Sequence, residues 1–428
     1  MERAASPYAI LRNRDFLFYL TGRFVASFGQ QMLTVAVGWE LYERTHSSLL
    51  LGFVGLTAFV PMVLMTLPAG HVADTRERKR VIISMQAVLA CTALGLAFIS
   101  WKQEPVAWMY ICLSVAGVAR TFLWSASASF LPQLVARPEF PLAVTWSSST
   151  FQFSAVAGPA VGGAIIALSH NAAVLVYLLT TLSCLMCLGM ICLVRAHSTP
   201  PPKEPVSMES LLGGFRFVFN HRIILAAITL DLFAVLFGGA TALLPVYAKD
   251  ILRVGPQGLG LMQAALPVGS MLCAMIMAHH APMQKAGRSL MFAVVIFGLA
   301  TVGFGYSRWF WLSLLMLFIC GFVDNVSVIV RHTLVQLLTP DAMRGRVSSV
   351  NNLFIGTSNE LGGFESGFVA NYFGPVFSVV SGGIATILVV AAVAWVWPEI
   401  AHFGRLVQPA EEEAKPGPSD LEKTRVVE

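Results

Sequence analysis

The sequence predicts an all-α membrane protein of twelve transmembrane helices arranged as two six-helix bundles. Three observations predict it. The 428-residue chain is 56% hydrophobic and only 12% charged, with a mean hydropathy of +0.71, about half the charged share of a soluble domain. Its apolar residues fall into runs long enough to cross a bilayer, each of roughly 20 residues. One long polar connection divides those runs six and six, the build of many transport proteins made of repeated halves.

The runs lie at 16–42, 48–73, 81–101, 107–131, 142–168, 172–194, 223–248, 258–280, 289–307, 311–338, 347–372 and 375–397. The tail before them, 1–15, is polar and lacks the apolar core of a signal peptide. The first bundle covers 16–194 and the second 223–398. Between them, 195–222 begins with Pro200, Pro201, Pro202 and Pro205, which exclude a helix there. It continues with Leu211, Leu212, Phe215, Val218 and Phe219 at helical spacing, read as a short helix on the inner membrane face. The tail 399–428 is charged and proline-rich, the composition of a disordered segment.

Orientation follows from Lys and Arg. Twenty of the 28 fall in connections on the side of the two termini, five on the other, and Arg23, Arg120 and Arg331 within spans. Positive charge marks the cytoplasmic side, so both termini are expected there. The net charge of +5 is then a topology signal and no sign of nucleic acid. The seven cysteines lie in apolar runs, and the Cys184–Cys187 spacing has no second pair and no nearby His, so they read as small interior residues. There is no phosphate-binding GxxxxGK[ST], no GxGxxG after a strand, no HExxH and no DDxxD. His279 and His280 adjoin at a helix end, poor geometry for a metal. No cofactor and no metal are expected.

The most hydrophilic internal stretch, "GHVADTRERKR" at 70–80, falls in the connection after the second run. Gly70 permits close helix approach. Asp74, at a helix end, can pair with a base or cap a helix N-terminus of the other bundle, making a latch. Arg78, Lys79 and Arg80 face anionic lipid at about 1 kcal/mol each. The alternative is a plain topology anchor. The corresponding loop of the second half, "HHAPMQKAGR", has Gln284 where the acid would fall, so a latch is expected in the first half only.

Within the spans, charge is costly, by about 2.5–3.5 kcal/mol at mid-membrane, and each such residue needs a partner or a wet path. These are Arg23 in the first run, with Gln30 beside it; Arg120 in the fourth; Asp231 in the seventh; and Asp324 and Arg331, seven apart and so on one face, in the tenth. A permanent Asp–Arg strut is the alternative to a working acid. Glu360 and Glu365 in the eleventh run do not share a face, and a structural role suits them as well. In the fifth run, "AGPAVGG" places Gly158 and Gly162 on one face for helix contact, with Pro159 bending the helix and Gly163 following.

These stretches resemble the major facilitator superfamily. Gly70, Asp74, Arg78, Lys79 and Arg80 match its loop motif between helices 2 and 3, with Thr75 and Glu77 departing from the commonest form in the manner of the group that includes the enterobactin exporter. Arg120 resembles the arginine of the helix-4 motif associated with proton coupling. Gly158, Pro159, Gly162 and Gly163 resemble the helix-5 motif of exporters, though Thr145 and Ser154 stand where upstream glycines are usual. The "PDAMRGRV" loop, with Asp341, Arg344, Gly345 and Arg346, is similar to a loop of the same group and reads as a second cytoplasmic gate element. The resemblance implies a central cavity lined by helices 1, 4, 7 and 10, hence by Arg23, Gln30, Arg120, Asp231, Asp324 and Arg331. It implies a monomeric, proton-coupled exporter of a small molecule such as a siderophore or drug, set in the lipid bilayer of the inner membrane. Uptake by symport or uniport, and a non-transporting sensor or scaffold, are the rival readings.

Overall fold

The computed structural model describes residues 8–170, 172–195, 208–279, 285–340 and 343–402. The prolines of the central connection, Gln284 and Asp341 lie outside these residues. So do the side chains of Asp74, Leu211 and Leu212. Every regular element among the described residues is helical.

The first half comprises α1 (Arg14–Thr45), α2 (Ser48–Thr75), α3 (Arg78–Lys102), α4 (Ala107–Leu134), α5 (Phe140–Leu168) and α6 (Val174–Leu193). α1 starts where the sequence allows a cap: Asn13 Oδ1 accepts from the backbone N–H of Asp15 and Phe16, at 3.1 and 3.2 Å, and Asp15 complements the helix dipole. Asn13 also donates to Leu134 O at 2.8 Å, tying the start of α1 to the end of α4. Within this half α1 packs on α5 and α6, α3 on α4 and α6, and α2 on α4.

α7 (Met208–Asn220) is the short helix expected in the connection. It docks on the second half, where Val218 is fully buried among Ile224, Val335, Val347 and Val350. The second half continues with α8 (Arg222–Gly238), α9 (Leu244–Val246), α10 (Gly255–His279), α11 (Ala286–Tyr306), α12 (Phe310–Leu338), α13 (Arg344–Phe373), α14 (Pro375–Val396) and α15 (Glu399–His402). The seventh run, expected as one helix over 223–248, is broken. α8 ends at Gly238, a 3-10 turn covers Ala240–Leu243, and a π-helical turn covers Tyr247–Ile251 after α9. Gly238 and Gly239 weaken the helix, and Pro245 supplies no N–H to continue it. Gly374, at φ +90°, makes the sharp corner between α13 and α14 that an L side chain would strain. Residues 399–402, expected within the tail, form a helical turn instead, held to α8 by Arg222 and Glu399 at 3.2 Å.

Ten helical segments among the described residues are long and apolar enough to cross a membrane. α1 and α13 are as long, at 32 and 30 residues, but their polar content sets them apart. Connections at one end of the helices carry most of the Lys and Arg; we call it the basic end and its opposite the far end.

Candidate functional site

The two halves meet along two helix pairs, α5 with α10 and α2 with α13. Glycines make both crossings possible. On α5, Gly158 and Gly162 press on α1, at Gln31 and Met32, while Gly163 presses on the backbone of Pro256 and Gly260 in α10. Gly260 in turn meets Pro159. A Cβ at Gly163 or Gly260 would collide with backbone oxygen of the opposite helix. The other crossing sets Ser48, Gly52 and Gly55 of α2 against Glu360, Gly363 and Gly367 of α13. All of these residues lie in the far-end portions of their helices.

A polar clamp closes the same end. Lys249 Nζ sits 2.8 Å from Glu43 Oε2, and the Tyr42 hydroxyl donates to Asp250 Oδ2. Both contacts join α1 to the π-helical turn that follows α9. Sequence reading counted Lys249 only as a loop charge, because nothing local connects residues more than 200 positions apart.

Toward the basic end the facing surfaces part. Gly70 and Gly345 have no heavy atom within 4 Å of the place a Cβ would take. Thr145, Ser148 and Ser149 on α5 and Ser349 and Asn352 on α13 are exposed. Polar groups within a membrane segment turn to water or protein, not to lipid, so these faces line a cleft open at the basic end.

The cleft has a basic wall and an acidic wall. On the first half, Arg120, Trp124, Ser127 and Ala128 follow one stripe of α4 at helical spacing. Arg120 is exposed to the cleft, within range of the charge of Glu360 on α13. Arg23 lines a hollow of about 650 Å³ among α1, α4 and α5. Gln30 turns aside, donating to Cys184 Sγ of α6 at 3.7 Å. On the second half, Asp324 is half-buried at the edge of a hollow of about 600 Å³ that also takes in Thr241, Phe297 and Asn359. A small recess bounded by Asp231, Asp324 and Ser327 adjoins it. There Asp231 and Arg331 are closed off: they form an ion pair, with side chains only 6% and 2% exposed. Arg331 thus faces α8 and not the cleft, which corrects its placement as a cavity residue. Asp231 likewise meets a protein partner. Glu360, given a structural role as readily at the sequence level, is the cleft acid within range of Arg120 on the other half.

The basic residues of 70–80 serve the first half internally. Arg78 is buried and donates to Ala73 O at 3.3 Å and Ser129 O at 3.1 Å, binding the α2–α3 corner to α4. Lys79 Nζ donates to Val194 O at 2.6 Å and Cys192 O at 3.2 Å, satisfying carbonyls left over at the end of α6. Arg80 is exposed and pairs with Glu77 at 2.5 Å. Substituting Met for Lys79 is expected to cost about 1 kcal/mol, read as a small fall in the melting temperature of the detergent-solubilised protein. In the 341–346 loop, Arg344 and Gly345 are exposed, and Arg346 packs against Gly213 and Gly214 of α7. That contact fastens the linking helix to the start of α13; it does not reach the first half.

Residues 5–410 match the family described as transmembrane secretion effector. The chain belongs to this family of the major facilitator superfamily. This secretion-effector chain is 24% identical to the enterobactin exporter EntS of Escherichia coli strain K12 over 392 residues, 89% of its own length and 91% of the relative's. EntS of Shigella boydii serotype 4, strain Sb227, matches at the same identity and coverage. Among solved structures, it resembles a bacterial homolog of the human lysosomal transporter Spinster, inward-facing and occupied, with a TM-score of 0.73, 12% identity, and coverage of 95% of this chain and 100% of that one. The nucleoside transporter NupG gives a TM-score of 0.70, 14% identity, and coverage of 90% and 99%. These relatives and structural neighbours are transporters, and this secretion-effector chain is a multi-pass membrane transporter. Of the α5 glycines, Gly163 with Pro159 meets the other half at α10, while Gly158 and Gly162 pack on α1 of the same half.

Proposed function

We propose that this chain is a proton-coupled exporter of the inner membrane that moves a small organic molecule by alternating access. In this reading twelve spans form two six-helix bundles, because α1 and α13 join the ten apolar segments: their polar faces are spent on the cleft. The protein works as a monomer, with both termini cytoplasmic as the charge bias indicates. The basic end is then the inner one, and the conformation described is closed outward and open inward. One observation carries the proposal: the halves are clamped by Glu43–Lys249 and Tyr42–Asp250 at one end and part at the other, around a cleft with charge on both walls.

Asp324 suits the proton carrier. It borders both the cleft and the recess that leads to Asp231 and Arg331. A proton arriving from outside neutralises it, and its loss inward resets the molecule. Export is favoured by the relatives, which are enterobactin exporters. Enterobactin is therefore the first probe. Everted vesicles carrying the protein, acidified in the lumen by respiration, are expected to accumulate enterobactin. Asp324→Asn is expected to lower that gradient-driven accumulation about tenfold, within the roughly 5- to 150-fold range of a site-to-site coupling energy. Efflux from loaded everted vesicles in place of accumulation would reverse the direction, and full activity of Asp324→Asn would remove this acid from the coupling.

A further inference from the structure

We propose that the hollow among α1, α4 and α5 is a recognition subsite for an aromatic ring bearing one acidic group, with Arg23 holding the acid. The inference deepens the transport reading above and takes from it only that the cleft receives a small molecule.

The charge argument comes first. Arg120 has Glu360 within range across the cleft, and Arg331 has Asp231. Among the described residues no carboxylate pairs with Arg23. Its polar contact is a long one, Nη1 to Ser127 Oγ at 3.4 Å. A guanidinium within a membrane segment is expensive without a counter-charge, and its planar fork fits a carboxylate in two parallel hydrogen bonds. Of the three span arginines, this one lacks an anion from the protein and points into open volume.

Trp124 and Phe151 stand on the rim of the same hollow, 70% and 51% exposed. Two large aromatic faces beside an open hollow suit a flat ring between or against them, in offset or edge-to-face contact. The polar lining adds direction. Ser147 Oγ is buried with no partner among the described residues, whereas Thr150 spends its hydroxyl proton on Ser147 O at 2.9 Å. A ligand oxygen near Arg23 would give Ser147 the hydrogen bond it lacks. The remainder of a larger substrate would extend past Arg120 into the cleft.

Binding to the detergent-purified full chain tests this without a gradient. Equilibrium dialysis would compare naphthoate, its neutral analogue naphthalenemethanol and the cationic naphthylmethylamine. Naphthoate is expected to bind about tenfold more tightly than the alcohol, the worth of one charge-assisted hydrogen-bonded pair, with the amine weakest. Arg23→Gln is expected to bring naphthoate down to the alcohol's affinity while leaving the alcohol unchanged, which also shows the hollow intact. Trp124→Ala is expected to weaken both. No preference for the anion in the unaltered protein would overturn the proposal, as would a preference that survives Arg23→Gln. If Arg23→Gln does not fold, the unaltered protein and Trp124→Ala still decide: an anion preference with aromatic dependence supports the subsite, and absence of either overturns it. Because dialysis reads no transport, a failed vesicle experiment with intact anion binding would count against the exporter reading alone. Enterobactin accumulation without anion preference would count against this subsite alone.

Discussion

Gly163→Val is expected to reduce enterobactin accumulation in everted vesicles to the level of vesicles lacking the protein. The side chain enters a crossing where the opposing atoms are backbone: the Pro256 carbonyl, and Gly260 Cα and N at 3.0 and 3.1 Å from the Cβ position. Backbone in a helix cannot turn aside as a rotamer does, so α5 and α10 must separate. Overpacking of this sort costs about 1–3 kcal/mol. In the proposed alternating-access cycle the cost falls only on the conformation in which the two helices touch, so it acts in full on the equilibrium between states, a shift of about 5- to 150-fold. A direct measurement accompanies the transport assay. Paired Glu43→Cys and Lys249→Cys substitutions, in a chain whose native cysteines have been replaced, are expected to cross-link readily, and adding Gly163→Val is expected to suppress that link. Gly189→Val is the control, since nothing lies within 4 Å of its Cβ position. Equal cross-linking in the Gly163 and Gly189 variants would show that the α5–α10 contact does not govern the clamp.

Asp231→Asn is expected to destabilise the protein by about 3–5 kcal/mol, because it strands Arg331 in the interior without its counter-charge. Both partners are almost wholly enclosed by α8, α11 and α12. The measurement is thermal unfolding in detergent followed by the loss of monodisperse protein. The double substitution Asp231→Leu with Arg331→Met is expected to recover most of the loss, since an apolar pair of similar volume carries no desolvation penalty. The combination separates two roles. Restored stability together with restored transport would make the pair a strut. Restored stability without transport would place the pair in the coupling route behind Asp324. A single Asp231→Asn protein as stable as the original would contradict the buried ion pair itself.

Much of the fold was legible in the sequence because the bilayer imposes length and polarity on each helix. Ten of the predicted runs fall on helical segments long and apolar enough to cross a membrane, and the amphipathic spacing of Phe215 and Val218 marks α7. The break in the seventh run was written in Gly238, Gly239 and Pro245, but an average over twenty apolar residues hides two glycines and a proline. The candidate site was less legible. Periodicity tells which residues share a face but not which helix that face meets. Arg331 and Asp324 share a stripe of α12, yet only packing reveals that α8 claims Arg331 while Asp324 looks toward open volume. Glu360 was discounted on its angular separation from Glu365, when its relevant neighbour was Arg120, 240 positions earlier. Glu43, Lys249 and Asp250 fall just past the ends of the first and seventh apolar runs, where charge is ordinary, and nothing in the sequence marks them as partners. Arg78 and Lys79 were read toward lipid; they also donate to carbonyls of α2 and α4 and at the end of α6.

The interrupted seventh helix has a mechanical consequence. Its last turns, from Ala240 to Ile251, combine 3-10, α and π hydrogen bonding and carry Lys249 and Asp250 at their tip. A continuous rod would transmit any tug on those two residues straight to Asp231, eighteen positions below. In the proposed cycle a jointed one absorbs it at the glycine pair, so the clamp is free to open while the core charge pair keeps its seat.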